Sequence, residues 1–191
     1  IGARFMEQAR PLVVRETPLA PPALIEHLGS EKWMRFDTTD VMTVDLTNLE
    51  LPDTLGYLPS HDASRFAEAC LHVAGDDMEL RPALTDILNA IKPASGFFMK
   101  QDPASDAVAT VLCVQDNDLA GILSLAVDRS RRREGLATEM LTAALRWARI
   151  SGAKSAWLQV ESDNLPAIGL YRRFGFAKVY SYHYWRKEQP A

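Results

Sequence analysis

The sequence is poor in the residues that build disulfide scaffolds and metal centres. Only two cysteines and four histidines occur in 191 residues. Cys70 and Cys113 lie far apart without CxxC spacing, and His27, His61, His72 and His183 form no HxxxH pair. No disulfide framework and no metal ion are expected, and a reducing, cytoplasmic setting fits. Long apolar runs are also missing: none approaches the roughly 18 residues of a membrane span, so no membrane partner is assigned. Nor is there a surplus of basic charge. Against 21 Lys and Arg stand 25 Asp and Glu, a formal net charge of −4, which argues against a surface built to hold nucleic acid through its phosphates. The opening Ile1-Gly2-Ala3-Arg4 lacks an initiator Met and a signal-peptide apolar core. It is expected to begin inside a longer native chain.

What remains is ordinary globular material, 47% hydrophobic and 24% charged, enough for one good-sized core or one domain plus a partial one. Residues 1–60 alternate short patterned pieces with proline-rich breaks, Pro18-Leu19-Ala20-Pro21-Pro22 and Leu51-Pro52-Asp53, and Asp40 to Leu46 alternates like a strand. From Asp62 the pattern is longer and more regular. Helical spacing marks Ala63 to Val73 and Leu80 to Ile91, the latter with a stripe of Leu84, Ile87, Leu88 and Ile91. Three strands are predicted at Gly96 to Lys100, Ala107 to Gln115 and Leu119 to Val127, the last two joined by the turn residues Asp116-Asn117-Asp118. A helix from Leu136 to Ser151 stops at Gly152 and buries Met140, Leu141, Ala144, Leu145 and Ala148. Ser155 to Glu161 alternates as a strand; Asp163-Asn164 can cap a further helix with Pro166 in its first turn and Gly175 at its end. Phe176 to Lys187 reads as two strands or one bent one. The order predicts a mixed sheet flanked by helices, with the Leu119 and Ser155 strands parallel across a helical connection.

The stretch from Leu125 to Thr138 runs from a strand through a polar turn into a helix. Such a turn leaves backbone N–H groups free at the helix start, aided by the helix dipole, and so can trap an anion. Gly135 and Ala137 are small enough to let backbone approach a pyrophosphate, and Arg131, Arg132 and Arg133 add charge. The plain alternative is a solvated charge run at a helix entrance. No Gly-Lys-Ser/Thr follows the glycine, so the turn is not a P-loop.

Two motifs now carry a resemblance. Arg132-x-x-Gly135-x-Ala137 resembles the R/Q-x-x-G-x-G/A coenzyme A pyrophosphate loop of the GNAT acetyltransferase superfamily. Downstream, Leu158-x-Val160-x-x-x-Asn164-x-x-Ala167-x-x-Leu170-Tyr171-x-x-x-Gly175-Phe176 resembles that family's L-x-V-x-x-x-N-x-x-A-x-x-L-Y-x-x-x-G-F block. The likeness runs from about Ala107 to Trp185, and more loosely back to Asp62. It implies an α/β mixed fold of the acyl-CoA N-acyltransferase type, with a largely antiparallel sheet and a splayed parallel strand pair. It also implies an N-acetyltransferase that uses acetyl-CoA as donor and an amine acceptor: a peptide terminus, lysine, amino acid or small amine. The resemblance assigns cofactor binding to Leu125, Ala126, Val127, Arg132, Arg133, Glu134, Gly135, Leu136, Ala137, Thr138 and Asn164. Backbone N–H near Leu125 would polarise the thioester carbonyl and Val127 would pair with the pantetheine amide.

The family's chemistry is direct attack of the amine, so no covalent nucleophile is sought. Asn164 and Tyr171 are seven apart and share a helix face about 10 Å from each other along the axis. One would touch the pantetheine arm while Tyr171 protonates the leaving thiolate; the plain alternatives are an N-cap and a packed core aromatic. Ribosomal-protein acetyltransferases of the family carry a glutamate where this chain has Gln159, and an amide cannot accept the amine's proton. Glu161, two residues on and on the same strand face, is a substitute base, with a water chain or an idle strand-end carboxylate as the alternatives.

Pro22 to Gly29 and the alternation up to Leu46 echo Pro166 to Gly175 and the strand pattern after it. Residues 1–52 thus read either as the remnant of a degenerate GNAT half, with Ile25 at the tyrosine position, or as a chance helix-turn-strand. If a true half, Arg35 to Leu46 could pair with the sheet of the GNAT domain, residues 53–191, or cover its cleft. Two other functions compete: a non-catalytic acyl-CoA sensor, and a basic-patch interaction module using Arg129 and Arg131 to Arg133. A monomer or a homodimer is compatible with all three.

Overall fold

Strong local signals decide most elements. The computed structural model describes residues 11–52, 57–102 and 107–187; the chain start and Asp53 of the second proline break lie outside them. The elements are β1 (Val13–Glu16), α1 (Pro22–Ser30), β2 (Trp33–Asp45), α2 (Ala63–Ala74), α3 (Arg81–Asn89), β3 (Ala94–Gln101), β4 (Ala107–Asp116), β5 (Leu119–Val127), α4 (Leu136–Ile150), β6 (Ser155–Glu161), α5 (Leu165–Arg173) and β7 (Ala177–Lys187). Phe176 to Lys187 therefore contributes one strand. The class is mixed α/β, with antiparallel pairs β1/β7, β3/β4 and β4/β5 and the parallel pair β5/β6.

The chain divides into two compact units. The larger holds Thr43–Leu158 and Arg172–Phe176, with strand order β6-β5-β4-β3. Helix α4 packs on this sheet through the predicted face: Met140, Leu141, Ala144, Leu145 and Ala148 are all fully buried. Burying a leucine or methionine in this way stabilises by about 1.5–3 kcal/mol. A second cluster joins Phe66 and Ala67 of α2, Leu88 of α3 and Phe97 of β3, with the Phe66 and Phe97 rings stacked at 4.9 Å. Leu84 and Ile91 pack against it, but Ile87 is 64% exposed, which corrects the predicted stripe. It lies about 60° to one side of the line through the other three, past the edge of a narrow contact. Gly121 pairs with Trp157 in the parallel ladder, and a Cβ there would stand 2.9 Å from the indole.

The smaller unit holds residues 11–42, Gln159–Tyr171 and residues 177–187, in the order β1-β7-β2-β6. The N-terminal strand β2 sits between β7 and β6 in this order. Within it Asp37 adopts a left-handed φ of +43°. Arg35 lies over the Trp185 ring at 5.2 Å and Thr38 bonds His183 at 2.9 Å; Trp185 and His183 share a face of β7, whereas residues 35 and 38 of a regular strand would not. The left-handed φ at Asp37 lies between these two residues. Glu16 of β1 accepts from the Trp185 indole at 2.6 Å and from Arg35 at 2.7 Å. Burial opposes its charge, but these hydrogen bonds prevail and hold its carboxyl below the usual range.

Candidate functional site

The stretch from β5 into α4 begins with an irregularity that the sequence pattern hid. Thr110 pairs with Ala126 and Leu112 with Leu123, so Ser124 and Leu125 together oppose Val111 in a β-bulge. Ser124 has a φ of +50°, and its carbonyl accepts from the buried Thr110 hydroxyl at 3.1 Å. The parallel ladder with β6 ends at Ile122↔Leu158, immediately before the bulge. Beyond that point Leu125, Ala126 and Val127 are half-buried and outside the ladder with β6. β-branched and leucine-rich alternation gave no hint of this, because a bulge adds a residue without changing composition.

The turn itself is closed at its start and open at its end. Asp128 caps the short 3₁₀ turn Arg129–Arg131, accepting from the Ser130 amide at 2.7 Å and its hydroxyl at 2.5 Å. These bonds hold the Asp128 carboxyl below the usual range. Arg133 and Gly135 then adopt left-handed φ values of +71° and +83°, and Gly135 caps α4 without a side chain. Among the described residues, no protein acceptor meets the amides of residues 132–138. The arginines divide unequally. Arg131 is engaged by Asp102 at 2.5 Å and Glu134 at 2.9 Å, so its charge is already matched. Arg132 and Arg133 form no ion pair among the described residues. A Cβ on Gly135 would meet nothing within 4 Å; its glycine identity serves the positive φ and leaves open space before the amides. One turn into α4, Glu139 accepts from Lys100 at 2.6 Å and Tyr57 at 2.9 Å. Lys100 contributes most to holding Glu139 below, and Glu139 most to holding Lys100 above, their ordinary pKa values.

In the smaller unit the other predicted residues follow β6. The Gln159 amide oxygen accepts from the Tyr182 hydroxyl at 2.7 Å, which gives it a structural partner. Glu161 lines a cleft of about 490 Å³ together with Asp37, Thr38, Ser162 and Asp163. Asn164 caps α5, its Oδ1 accepting from the Ala167 amide at 3.2 Å. Tyr171 is buried on α5, and that burial pushes its phenol above the ordinary tyrosine range. Sequence reasoning missed Asp37 and Thr38 as cleft walls. It also missed Asp40, a buried carboxylate on which Ser162, Ser181 and Lys178 converge. Among the described residues, no group of three or more His, Cys, Asp or Glu could hold a metal ion, and no helix is long and apolar enough to cross a membrane.

In sequence and fold the chain is similar to known proteins. The Acetyltransferase (GNAT) family matches residues 60–176. An uncharacterized N-acetyltransferase of Bacillus subtilis, YobR, is 26% identical over 122 residues, 64% of this chain and 49% of its own length. The [ribosomal protein bS18]-alanine N-acetyltransferase of Haemophilus ducreyi is 30% identical over 81 residues, 42% of this chain and 56% of its own. The match thus spans about half the length of these relatives. A solved GCN5-related N-acetyltransferase from Sphaerobacter thermophilus superposes with a TM-score of 0.74 at 18% identity, over 98% of this chain and 65% of that one. With over half of its residues matched by the family, and with a strand, an open turn and a helix in the order both motifs require, the chain belongs to the GNAT acetyltransferase family.

Proposed function

We propose that the chain transfers an acetyl group from acetyl-CoA directly to a primary amine: a peptide terminus, lysine, amino acid or small amine. The run of open amides at residues 132–138 carries this reading. Seven N–H groups without an acceptor among the described residues, at the positive end of a helix dipole, suit a diphosphate. Arg132 and Arg133 supply positive charge, and Glu134, Leu136, Ala137 and Thr138 contribute through backbone. In this reading Val127 pairs with the pantetheine amide. The bulged Leu125 offers its N–H to the thioester carbonyl as charge builds on oxygen.

The amine nitrogen attacks the carbonyl carbon, the new C–N bond forms and the C–S bond breaks. Tyr171 gives its phenolic proton to the departing thiolate; a phenol, with an ordinary pKa of about 10, holds that proton at neutral pH. Glu161 accepts the proton that the amine must lose. The three carboxylates of the cleft, Asp37, Glu161 and Asp163, favour an ammonium group over a neutral or anionic one. Asn164 holds the pantetheine arm with its amide nitrogen. Because Gln159 replaces the glutamate of the ribosomal-protein enzymes and is bound to Tyr182, the bS18-alanine substrate is not carried over.

The test is a panel of amines with acetyl-CoA, followed by release of the free coenzyme A thiol, beside calorimetry of acetyl-CoA alone. Expected are binding that survives moderate salt and thiol release above the amine-free rate for at least one acceptor class. Binding with no acceptor turned over would leave a sensor, and no binding would end the proposal.

A further inference from the structure

Asp40 lies in the N-terminal part of the chain, upstream of the family match at residues 60–176. It is 7% exposed, yet it carries a carboxylate. Its Oδ1 accepts from Ser162 Oγ at 2.7 Å, from Ser181 Oγ at 2.8 Å and from Lys178 Nζ at 2.9 Å. Two of these donors belong to β7. The third, Ser162, is in the turn between Glu161 and Asn164. The same turn is tied a second time, since the Ser162 amide donates to the Thr38 carbonyl at 2.9 Å. Within the turn the Asn164 amide donates to the Glu161 carbonyl at 3.0 Å. A buried carboxylate is costly to keep unless several donors meet it, and a charge-assisted hydrogen bond is about twice as strong as a neutral one. The Asp40–Ser162 bond is therefore a stiff link from β2 to the short turn that carries Glu161 and Asn164.

We propose that Asp40, acting through the Ser162 hydroxyl, is a positioning residue for the acceptor side of the site. It sets where Glu161 stands in the cleft that Asp37 and Thr38 help to line. This rests on the acetyl-transfer reading above. It makes residues 37–40 part of the working enzyme, although the family match does not reach them. Asp40 touches no substrate; its effect passes through the turn.

Four variants of the full chain test it, with steady-state kinetics on the best amine of the panel and hydrogen exchange at amides 162–165. Ser162→Ala and Asp40→Ala are expected to raise the acceptor KM about tenfold, the size of one lost charge-assisted hydrogen bond, with faster exchange in the turn. The KM for acetyl-CoA should stay within about twofold of wild type. Asp40→Asn keeps an oxygen acceptor for both serines and should restore most of the loss. Ser181→Ala removes a partner of Asp40 on β7 but not the link to the turn. It should leave both readouts near wild type. If Asp40→Ala fails to fold, Ser162→Ala against Ser181→Ala decides alone. The proposal is overturned if those two serine variants behave alike, if acetyl-CoA KM rises in step with acceptor KM, or if turn exchange is unchanged. Should wild type turn over no amine, the acetyl-transfer reading fails; faster turn exchange in Ser162→Ala but not in Ser181→Ala would then still support the anchor, and no such difference would sink it.

Discussion

Two turns in this chain lead from a strand into a helix, and they resolve the same backbone problem in opposite ways. A helix start leaves amides without intrahelical acceptors. After β5 the chain enters α4 through Gly135, which offers no capping side chain, and the amides of residues 132–138 meet no backbone acceptor among the described residues. After β6 it enters α5 through Asn164, whose Oδ1 caps the Ala167 amide. There Ser162 is bound to Asp40 and to the Thr38 carbonyl, among the carboxylates of Asp37, Glu161 and Asp163. The first turn is open and basic, suited to a polyanion; the second is tied and acidic, suited to a cation. Openness is what a large phosphate ligand needs, whereas an acid–base pair needs its carboxylate held still.

The comparison breaks most visibly at Tyr171, which follows the second turn and in the proposed reaction only donates a proton. Tyr171→Phe is expected to lower kcat about a hundredfold and to leave the acetyl-CoA dissociation constant within about twofold of wild type. Unchanged turnover on a true acceptor would remove the phenol from the mechanism. The first turn is probed by Gly135→Asn, since asparagine tolerates a left-handed φ better than other side chains and nothing lies within 4 Å of the new Cβ. The fold should survive while the side chain enters the space before the amides. Acetyl-CoA should bind about tenfold more weakly, with acceptor KM little changed. A titration matching wild type would mean that the diphosphate does not sit there.

Much of this contrast was legible in residue order. The alternation of Leu119 to Val127, the Gly135 helix start and the Asn164-x-Pro166 entry into α5 are local signals, and local signals set local structure. Both motifs could be placed on their elements for the same reason. What escaped is non-local. The bulge at Ser124 and Leu125 appears only when β4 is laid beside β5. Ile87 kept its helical periodicity, but a short helix with a narrow contact face left it outside. Asp40 reads as one polar residue in an alternating strand; its worth depends on Ser162 and Ser181, more than a hundred residues away in sequence. The run Arg131 to Arg133 looks uniform, yet Asp102 and Glu134 take Arg131 out of it.

The smallest effect tells most about whether the second turn serves the donor at all. Asn164 has two chemically separate ends: its Oδ1 accepts the helix-cap bond, and its amide nitrogen is the donor proposed to hold pantetheine. Asn164→Ala loses both, and the lost cap should destabilise the chain by about 1 kcal/mol, read as a lower urea midpoint. Asn164→Asp keeps a capping oxygen, and its charge suits a helix N-terminus, so the midpoint should return to wild type or pass it. The donor amide stays missing. If the nitrogen holds pantetheine, acetyl-CoA KM should therefore rise by a similar factor, about fivefold, in both variants despite their different stabilities. If Asn164→Asp binds acetyl-CoA like wild type, Asn164 is a helix cap and nothing more, and the division between a turn for the donor and a turn for the acceptor becomes sharper than proposed.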